Sequence, residues 1–144
     1  MRSARALAVG AGCVLPVLAL AAAGCGGEPA TPAPQSTRPD SVSVTPGPDG
    51  VQAVEIDADD ANRFHPSLVE ARPGPVRLTL RHVGRGAPHN WTVRDIPGAR
   101  VPLTRAGEVR TARFTVGRPG DYRFVCTIHE AQGSVGRLVL KAAP

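Results

Sequence analysis

Residues 121–140 read DYRFVCTIHEAQGSVGRLVL. The first six alternate in polarity, which puts Tyr122, Phe124 and Cys126 on one face of a predicted strand. The last six, VGRLVL, alternate in the same way and predict a second strand. The loop between them contains His129, three residues after Cys126. A thiol at the inward-facing end of a strand, followed by an imidazole in a tight loop, is an arrangement that can bind one metal ion.

The same alternation recurs in the preceding part of the chain. Turn signals rich in glycine and proline separate the apolar runs, and we find no stretch with helical periodicity and caps. This pattern predicts an all-β sandwich or small barrel formed by residues 51–144, with Phe64 and Trp91 in its core. The further predicted strands are VQAVEID (51–57), PVRLTLRHV (75–83), HNWTV (89–93) and VRTARFTV (109–116).

The N-terminal residues have the pattern of an export signal. Residues 1–24 begin with arginines, continue with an apolar run and end in small residues before Cys25. The ending AAGC resembles the cleavage motif of bacterial lipoproteins, which implies a lipid on Cys25 and a protein anchored outside the cytoplasmic membrane. Ordinary signal cleavage nearby is the alternative. Residues 25–50, rich in Pro, Gly, Ser and Thr, are predicted to be a tether.

The cysteine count excludes a disulfide within the predicted domain. Cys13 lies in the signal and Cys25 at its end, which leaves Cys126 as the one thiol of residues 51–144. A free thiol outside the cytoplasm is open to oxidation unless it is buried or bound to a metal. A buried and inert cysteine is the simpler alternative.

Charge and aromatic content argue against nucleic-acid binding. The chain has 17 Lys and Arg against 12 Asp and Glu, a net charge of +5, but the basic residues are scattered and there are only five aromatic side chains. Nucleic-acid binding domains concentrate basic residues on one surface. We therefore expect no nucleic-acid partner.

A third candidate ligand begins a predicted strand. His89 begins HNWTV, and together His89, Cys126 and His129 form the two-imidazole, one-thiolate set of a trigonal blue-copper site. Zinc accepts the same donors and is the stronger competitor. A thiol nucleophile with a histidine base is a weaker alternative, because the sequence indicates neither a third orienting group nor a cleft.

Residues 51–144 resemble the cupredoxins, in particular plastocyanin- and azurin-like blue copper proteins. The resemblance implies a Greek-key β-sandwich with one type 1-like copper bound by His89, Cys126 and His129. It also implies that Asn90 connects the two ligand loops by hydrogen bonds. The stretches that carry the resemblance are FHP, PGPVRLTL, PHNWTV and PGDYRFVCTIHEAQGSVGRLVL.

The sequence departs from the family pattern at the axial ligand. Ungapped alignment places Ser134 where the family has methionine. The axial position is then empty, filled by water, or occupied by Gln132, and we expect the first or second of these. The resemblance also places Tyr122 at a Greek-key corner.

Two other histidines and an acidic segment are weaker candidates. We expect His82 either at the surface or behind the ligands, and His65 in a similar role. The segment with Asp57, Asp59 and Asp60 lacks the glycine and distal glutamate of a calcium loop, so it is expected to be a solvated turn.

The sequence thus predicts a monomeric, lipid-anchored copper protein that exchanges single electrons with redox partner proteins and has no enzymatic activity. His129 would be the exit for the electron, inside an apolar docking patch. Copper delivery is the alternative, although this chain has no Met-rich or His-rich tract. A metal-free interaction domain that has kept the fold is a second alternative.

Overall fold

Ten strands and one 3₁₀ turn make up the regular structure of residues 35–142, the part of the chain that the computed structural model describes. The 3₁₀ turn is Glu130–Gln132 and lies between the last two strands. The strands are β1 Ser41–Ser43, β2 Gln52–Ala58, β3 Phe64–His65, β4 Leu68–Ala71, β5 Gly74–His82, β6 His89–Val93, β7 Arg100–Thr104, β8 Val109–Val116, β9 Gly120–Val125 and β10 Val135–Leu140.

The strands form two sheets, which confirms the predicted all-β sandwich. One sheet has the order β1-β4-β10-β9-β6-β7 and the other has the order β3-β2-β5-β8. The β1–β4, β4–β10 and β2–β5 pairs are parallel, and the remaining pairs are antiparallel. Within the described residues, no helix has the length and apolar character needed to cross a membrane.

The core lies between the inward faces of the two sheets. Trp91 and Phe64 are each 1% exposed, as predicted. The Trp91 ring lies 5.5 Å from that of Phe124 and 5.7 Å from that of Phe114, and such offset aromatic contacts stabilise a core beyond simple burial. At the edge of the core, the hydroxyl of Tyr122 donates a hydrogen bond to the Arg118 carbonyl at 3.1 Å, in keeping with the predicted corner tyrosine.

One strand lies inside the segment predicted to be a tether. β1 pairs with β4, and the Val44 amide continues the pairing by donating to the Glu70 carbonyl at 2.8 Å. Val42 and Val44 supply the apolar contact with the core that this polar segment otherwise lacks. Ordered structure therefore begins before residue 51. The predicted signal (1–24), the lipidation site Cys25 and the start of the tether lie outside the described residues.

Candidate metal centre

The antiparallel pairing of β6 with β9 brings the predicted ligands together. Thr92 pairs with Val125, so the beginning of β6 lies beside the end of β9. His89 is the first residue of β6, and Cys126 immediately follows β9. His129 comes from the loop after Cys126.

The ligand atoms of His89, Cys126 and His129 all lie within 4.8 Å of one another. The two Nδ1 atoms are 3.3 Å apart, and the Cys126 Sγ is 3.6 Å from Nδ1 of His129. Ligand bonds of about 2.0–2.3 Å in a trigonal arrangement put neighbouring donor atoms about 3.5 Å apart. His89 and Cys126 are at most 1% exposed, whereas His129 is partly exposed.

Hydrogen bonds connect the two loops that carry the ligands. The Asn90 side chain donates to Oγ1 of Thr127 at 2.7 Å and accepts from the Thr127 amide at 2.8 Å. The Asn90 backbone amide also points at the Cys126 Sγ, at 3.5 Å. A sulfur that accepts an N–H is better able to carry the negative charge of a thiolate. Asn90 thus has the connecting position that the resemblance implies.

The loop from Cys126 to Ser134 closes on its own backbone. The His129 amide donates to the Cys126 carbonyl at 3.1 Å, and the Cys126 amide donates to the Ser134 carbonyl at 2.9 Å. The Ser134 amide in turn donates to the His129 carbonyl at 3.1 Å. Gly133, with φ of 94°, ends the 3₁₀ turn in the left-handed region that favours glycine. These bonds fix the spacing of Cys126 and His129.

The two axial candidates have different surroundings. Ser134 is fully buried, and its hydroxyl has no hydrogen-bond partner among the described residues. Gln132 lies exposed in the 3₁₀ turn and is not part of the ligand cluster. Of the two, only Ser134 is buried beside the backbone of the ligand loop.

The cluster favours a neutral His89. Burial lowers the pKa of His89 to about 4, and repulsion from a positive charge on His82 or His129 acts in the same direction. A hydrogen bond to the Asp59 backbone opposes the shift only in part. The neutral imidazole is the form that binds a metal, so His89 is a competent ligand well below pH 7.

His82 is a buried neighbour of the cluster. It is 2% exposed, and its ring meets that of His89 edge to face with centroids 5.0 Å apart. Neither ring nitrogen has a hydrogen-bond partner among the described residues, and Nε2 is 3.6 Å from Oδ1 of Asp60. The sequence predicts His82 either at the surface or behind the ligands, and the structure has it behind the ligands. Its position at the end of β5 made the inward orientation hard to derive from the sequence.

A surface ion cluster holds the 3₁₀ turn after His129. Glu130 contacts Arg94 and Arg123, and the hydrogen bond from Arg94 is the largest cause that lowers the pKa of Glu130 to about 2. Arg94 follows β6 and Arg123 belongs to β9, so these contacts connect the turn to both strands. Exposed ion pairs of this kind contribute little to stability.

The acidic segment and His65 lie outside the cluster. The expectation of a solvated turn is wrong for Asp57 and Asp59, which are 1% and 4% exposed. Asp57 accepts hydrogen bonds from Arg38 and Arg81, and Asp59 contacts Nε2 of His65 at 3.0 Å. These carboxylates are buried because each has a cationic or N–H partner, which composition alone did not indicate.

Comparison with solved structures identifies the fold, whereas no family model matches the chain. The metal-binding domain of the Cu(I)-exporting P-type ATPase CopA from Streptococcus pneumoniae has a TM-score of 0.57 at 18% identity, covering 69% of this chain and 96% of that one. Auracyanin from Roseiflexus castenholzii has a TM-score of 0.54 at 20% identity, covering 64% of this chain and 97% of that one.

Auracyanin A, a "blue" copper protein from Chloroflexus aurantiacus, gives a TM-score of 0.56 at 18% identity, covering 64% of this chain and all (100%) of that one. At such identities the similarity concerns the fold. The chain has the cupredoxin-like fold predicted from its sequence, with a Cys-His-His cluster that could hold a metal ion and in which only His129 is partly exposed.

Proposed function

We propose that this cupredoxin-like chain is a copper-binding protein that carries single electrons between protein partners. The observation that carries the proposal is the convergence of His89, Cys126 and His129, whose ligand atoms lie within 4.8 Å of one another. A soft thiolate suits Cu(I) and imidazole suits Cu(II), so this donor set fits copper in both oxidation states. Bound copper would supply the one-electron step by alternating between these states.

The protein's own groups prepare the site for that role. Cys126 would bind as the thiolate, supported by the Asn90 amide 3.5 Å from its sulfur. Burial keeps His89 neutral and shields the inner side of the cluster from bulk solvent. His129 is the one partly exposed ligand of the three, and we propose it as a route for the electron to a partner.

The hydrogen bonds between the loops support electron transfer for a mechanical reason. The Asn90–Thr127 pair and the backbone bonds between Cys126, His129 and Ser134 hold the two ligand loops in place. Ligands fixed in this way need little movement when the charge at their centre changes. A small rearrangement favours fast exchange of one electron.

The axial position is proposed to lack a protein ligand. Ser134 replaces the family's methionine, and a serine side chain is too short to take its place at the metal. Its buried hydroxyl, without a partner among the described residues, could instead hold a water in the axial position. A missing thioether changes the colour and potential expected of the site without removing its three strong donors.

Voltammetry of the copper-loaded protein tests the proposed function. The protein would comprise residues 25–144 with Cys25→Ser, so that Cys126 is its only thiol. The proposal predicts a reversible one-electron wave that disappears in Cys126→Ser. An irreversible wave, or a site that binds Cu(I) tightly and never yields a stable Cu(II) form, would contradict it.

Copper delivery is the second candidate. The similarity to a metal-binding domain of a Cu(I)-exporting ATPase and the partly exposed His129 favour it. A delivery protein would pass Cu(I) to a competing chelator within seconds, while an electron carrier would retain it. The rate of transfer to a colorimetric Cu(I) chelator therefore separates the two.

We also propose the setting in which this function operates. The lipoprotein-like signal in residues 1–24 favours a monomer anchored outside the cytoplasmic membrane through Cys25. Its partners there would be redox proteins, and the chain would make or break no covalent bond of a substrate. Metabolic labelling with a fatty acid, compared between the native chain and Cys25→Ser, tests the anchor.

A further inference from the structure

A groove of about 640 Å³ opens beside the proposed metal centre. We propose that it docks an acidic face of a protein redox partner, with one apolar side chain of that partner inserted between the carboxylates. The inference rests on the proposed electron-carrier function and adds the chemistry of the partner and its point of contact. The groove is lined by residues from β6, β7 and the two loops that carry the ligands.

The groove reaches the metal centre through Asn90 and Thr127. Both residues line it, and they are the sequence neighbours of His89 and Cys126. The Asn90 amide lies 3.5 Å from the Cys126 Sγ, so a side chain seated in the groove is one residue away from the sulfur ligand. A partner bound there would exchange electrons over a short path through Asn90, separate from the route through His129.

The charge of the groove selects a carboxylate-bearing partner. Arg100 and Arg105 line it, and no Asp or Glu does. Within the described residues Arg100 has no carboxylate within 4.0 Å, and Arg105, 77% exposed, reaches only Glu108 at 4.0 Å. Both guanidinium groups are therefore available to carboxylates of an incoming partner and would speed its approach.

The apolar part of the groove distinguishes a protein partner from a small anion. Leu103 lies in the groove and is 45% exposed, and Ile128, 49% exposed, directly follows the lining residue Thr127. These are two of the three large hydrophobic side chains that are exposed in the described part of the chain. A small apolar centre beside cationic groups fits the small, short-lived interfaces of redox proteins.

Nuclear magnetic resonance on the metal-free protein tests the docking site without depending on copper. The probe is a blocked pentapeptide of four acidic residues around a central leucine, and its control is the same peptide with amides in place of the carboxylates. We expect the acidic peptide to shift the amide signals of Asn90, Leu103 and Thr127 first. The neutral peptide should shift them much less.

Charge reversal provides the matched test. Arg100→Glu with Arg105→Glu should weaken binding of the acidic peptide about tenfold, the size expected from two exposed ion pairs. The control is Arg77→Glu with Arg113→Glu, a facing pair on the other sheet, which should change binding less than about twofold. Equal losses in both double variants, or shifts spread over both sheets, would overturn the inference.

The result is separable from the test of the electron-carrier function. A reversible copper wave without selective peptide binding would reject the docking site alone. Selective binding in the groove without a reversible wave would support an acidic partner and reject electron transfer as its purpose.

Discussion

At the scale of single residues, His82 has the least satisfied side chain near the site. Its two ring nitrogens are buried without a hydrogen-bond partner among the described residues, an arrangement that costs stability. His82→Phe keeps the edge-to-face contact with His89 and removes both polar atoms. It also removes the 3.6 Å contact of Nε2 with the Asp60 carboxylate, which keeps its hydrogen bonds from the Arg85 and Gly86 amides. We expect the free energy of unfolding of the metal-free protein to stay level or rise, as measured by urea denaturation.

The companion variant His82→Ala sets the scale of that experiment. It leaves a cavity behind His89 and should lower the free energy of unfolding by about 3 kcal/mol. If His82→Phe were as destabilising as His82→Ala, the ring nitrogens would have partners and the description of His82 as unsatisfied would be wrong.

Gly136 provides a second prediction at the residue scale. A Cβ on Gly136 would lie 2.2 Å from Cζ of Phe124 and 2.5 Å from the Ser67 carbonyl oxygen. Gly136→Ala should therefore lower the free energy of unfolding by about 3 kcal/mol in thermal or urea denaturation. Gly117→Ala is the control, because a Cβ there has no atom within 4 Å. A loss of equal size in both variants would contradict the close packing of β9 on β10.

At the scale of elements, the connection between the two ligand loops depends on one amide side chain. Asn90→Ala removes both side-chain hydrogen bonds to Thr127 and leaves the Asn90 backbone amide at the sulfur unchanged. We expect a loss of about 1–2 kcal/mol in the free energy of unfolding, measured by urea denaturation. Amide hydrogen exchange should rise in both ligand loops together. Faster exchange confined to the loop of Asn90 itself would contradict a connection between them.

The segment before residue 51 is attached to the domain by a buried carboxylate. Burial by itself would raise the pKa of Asp57, but hydrogen bonds from Arg81, Ser36 and Arg38 outweigh it, and the net pKa is lowered. At a pH between the lowered pKa of the folded protein and the ordinary pKa of the unfolded chain, Asp57 binds more protons in the unfolded state. Its stabilisation is therefore complete above about pH 4 and is lost as the pH falls through the lowered pKa.

Asp57→Asn tests this attachment. At pH 7 the free energy of unfolding of the variant should be about 3 kcal/mol lower than that of the native protein, because two arginines lose their buried partner. The difference should shrink as the pH falls below 4 in urea denaturation. Glu55→Gln, which changes only the 56% exposed partner of Arg38, should cost less than about 1 kcal/mol. A pH-independent deficit in Asp57→Asn would contradict the lowered pKa.

At the scale of the whole molecule, the alternating pattern predicted the six longer strands. Each of these runs from five to nine residues and repeats its polarity often enough to be detected. β1, β3 and β4 are two to four residues long, and β7 contains Pro102, so their sequences carry too few alternations. They form because neighbouring strands offer them partners, and such contacts lie far apart in the sequence.

The candidate site was more predictable than the edges of the sheets. The three-residue spacing between Cys126 and His129, together with the family pattern around His89 and Asn90, predicted that these four residues lie close together. His82 differs because its relation to the cluster depends on how β5 packs against the start of β6. That contact joins the two sheets and has no signature in the local sequence.

We propose that Cys126 is a copper ligand, and the visible and EPR spectra of the protein with one equivalent of Cu(II) test this proposal. Residues 25–144 with Cys25→Ser should give an intense blue or green thiolate-to-copper band, absent in Cys126→Ser and retained in His82→Phe. The EPR splitting would then report whether oxygen occupies the axial position. Stoichiometric Cu(II) binding without this band, or no binding at all, would contradict a Cys126 ligand to copper.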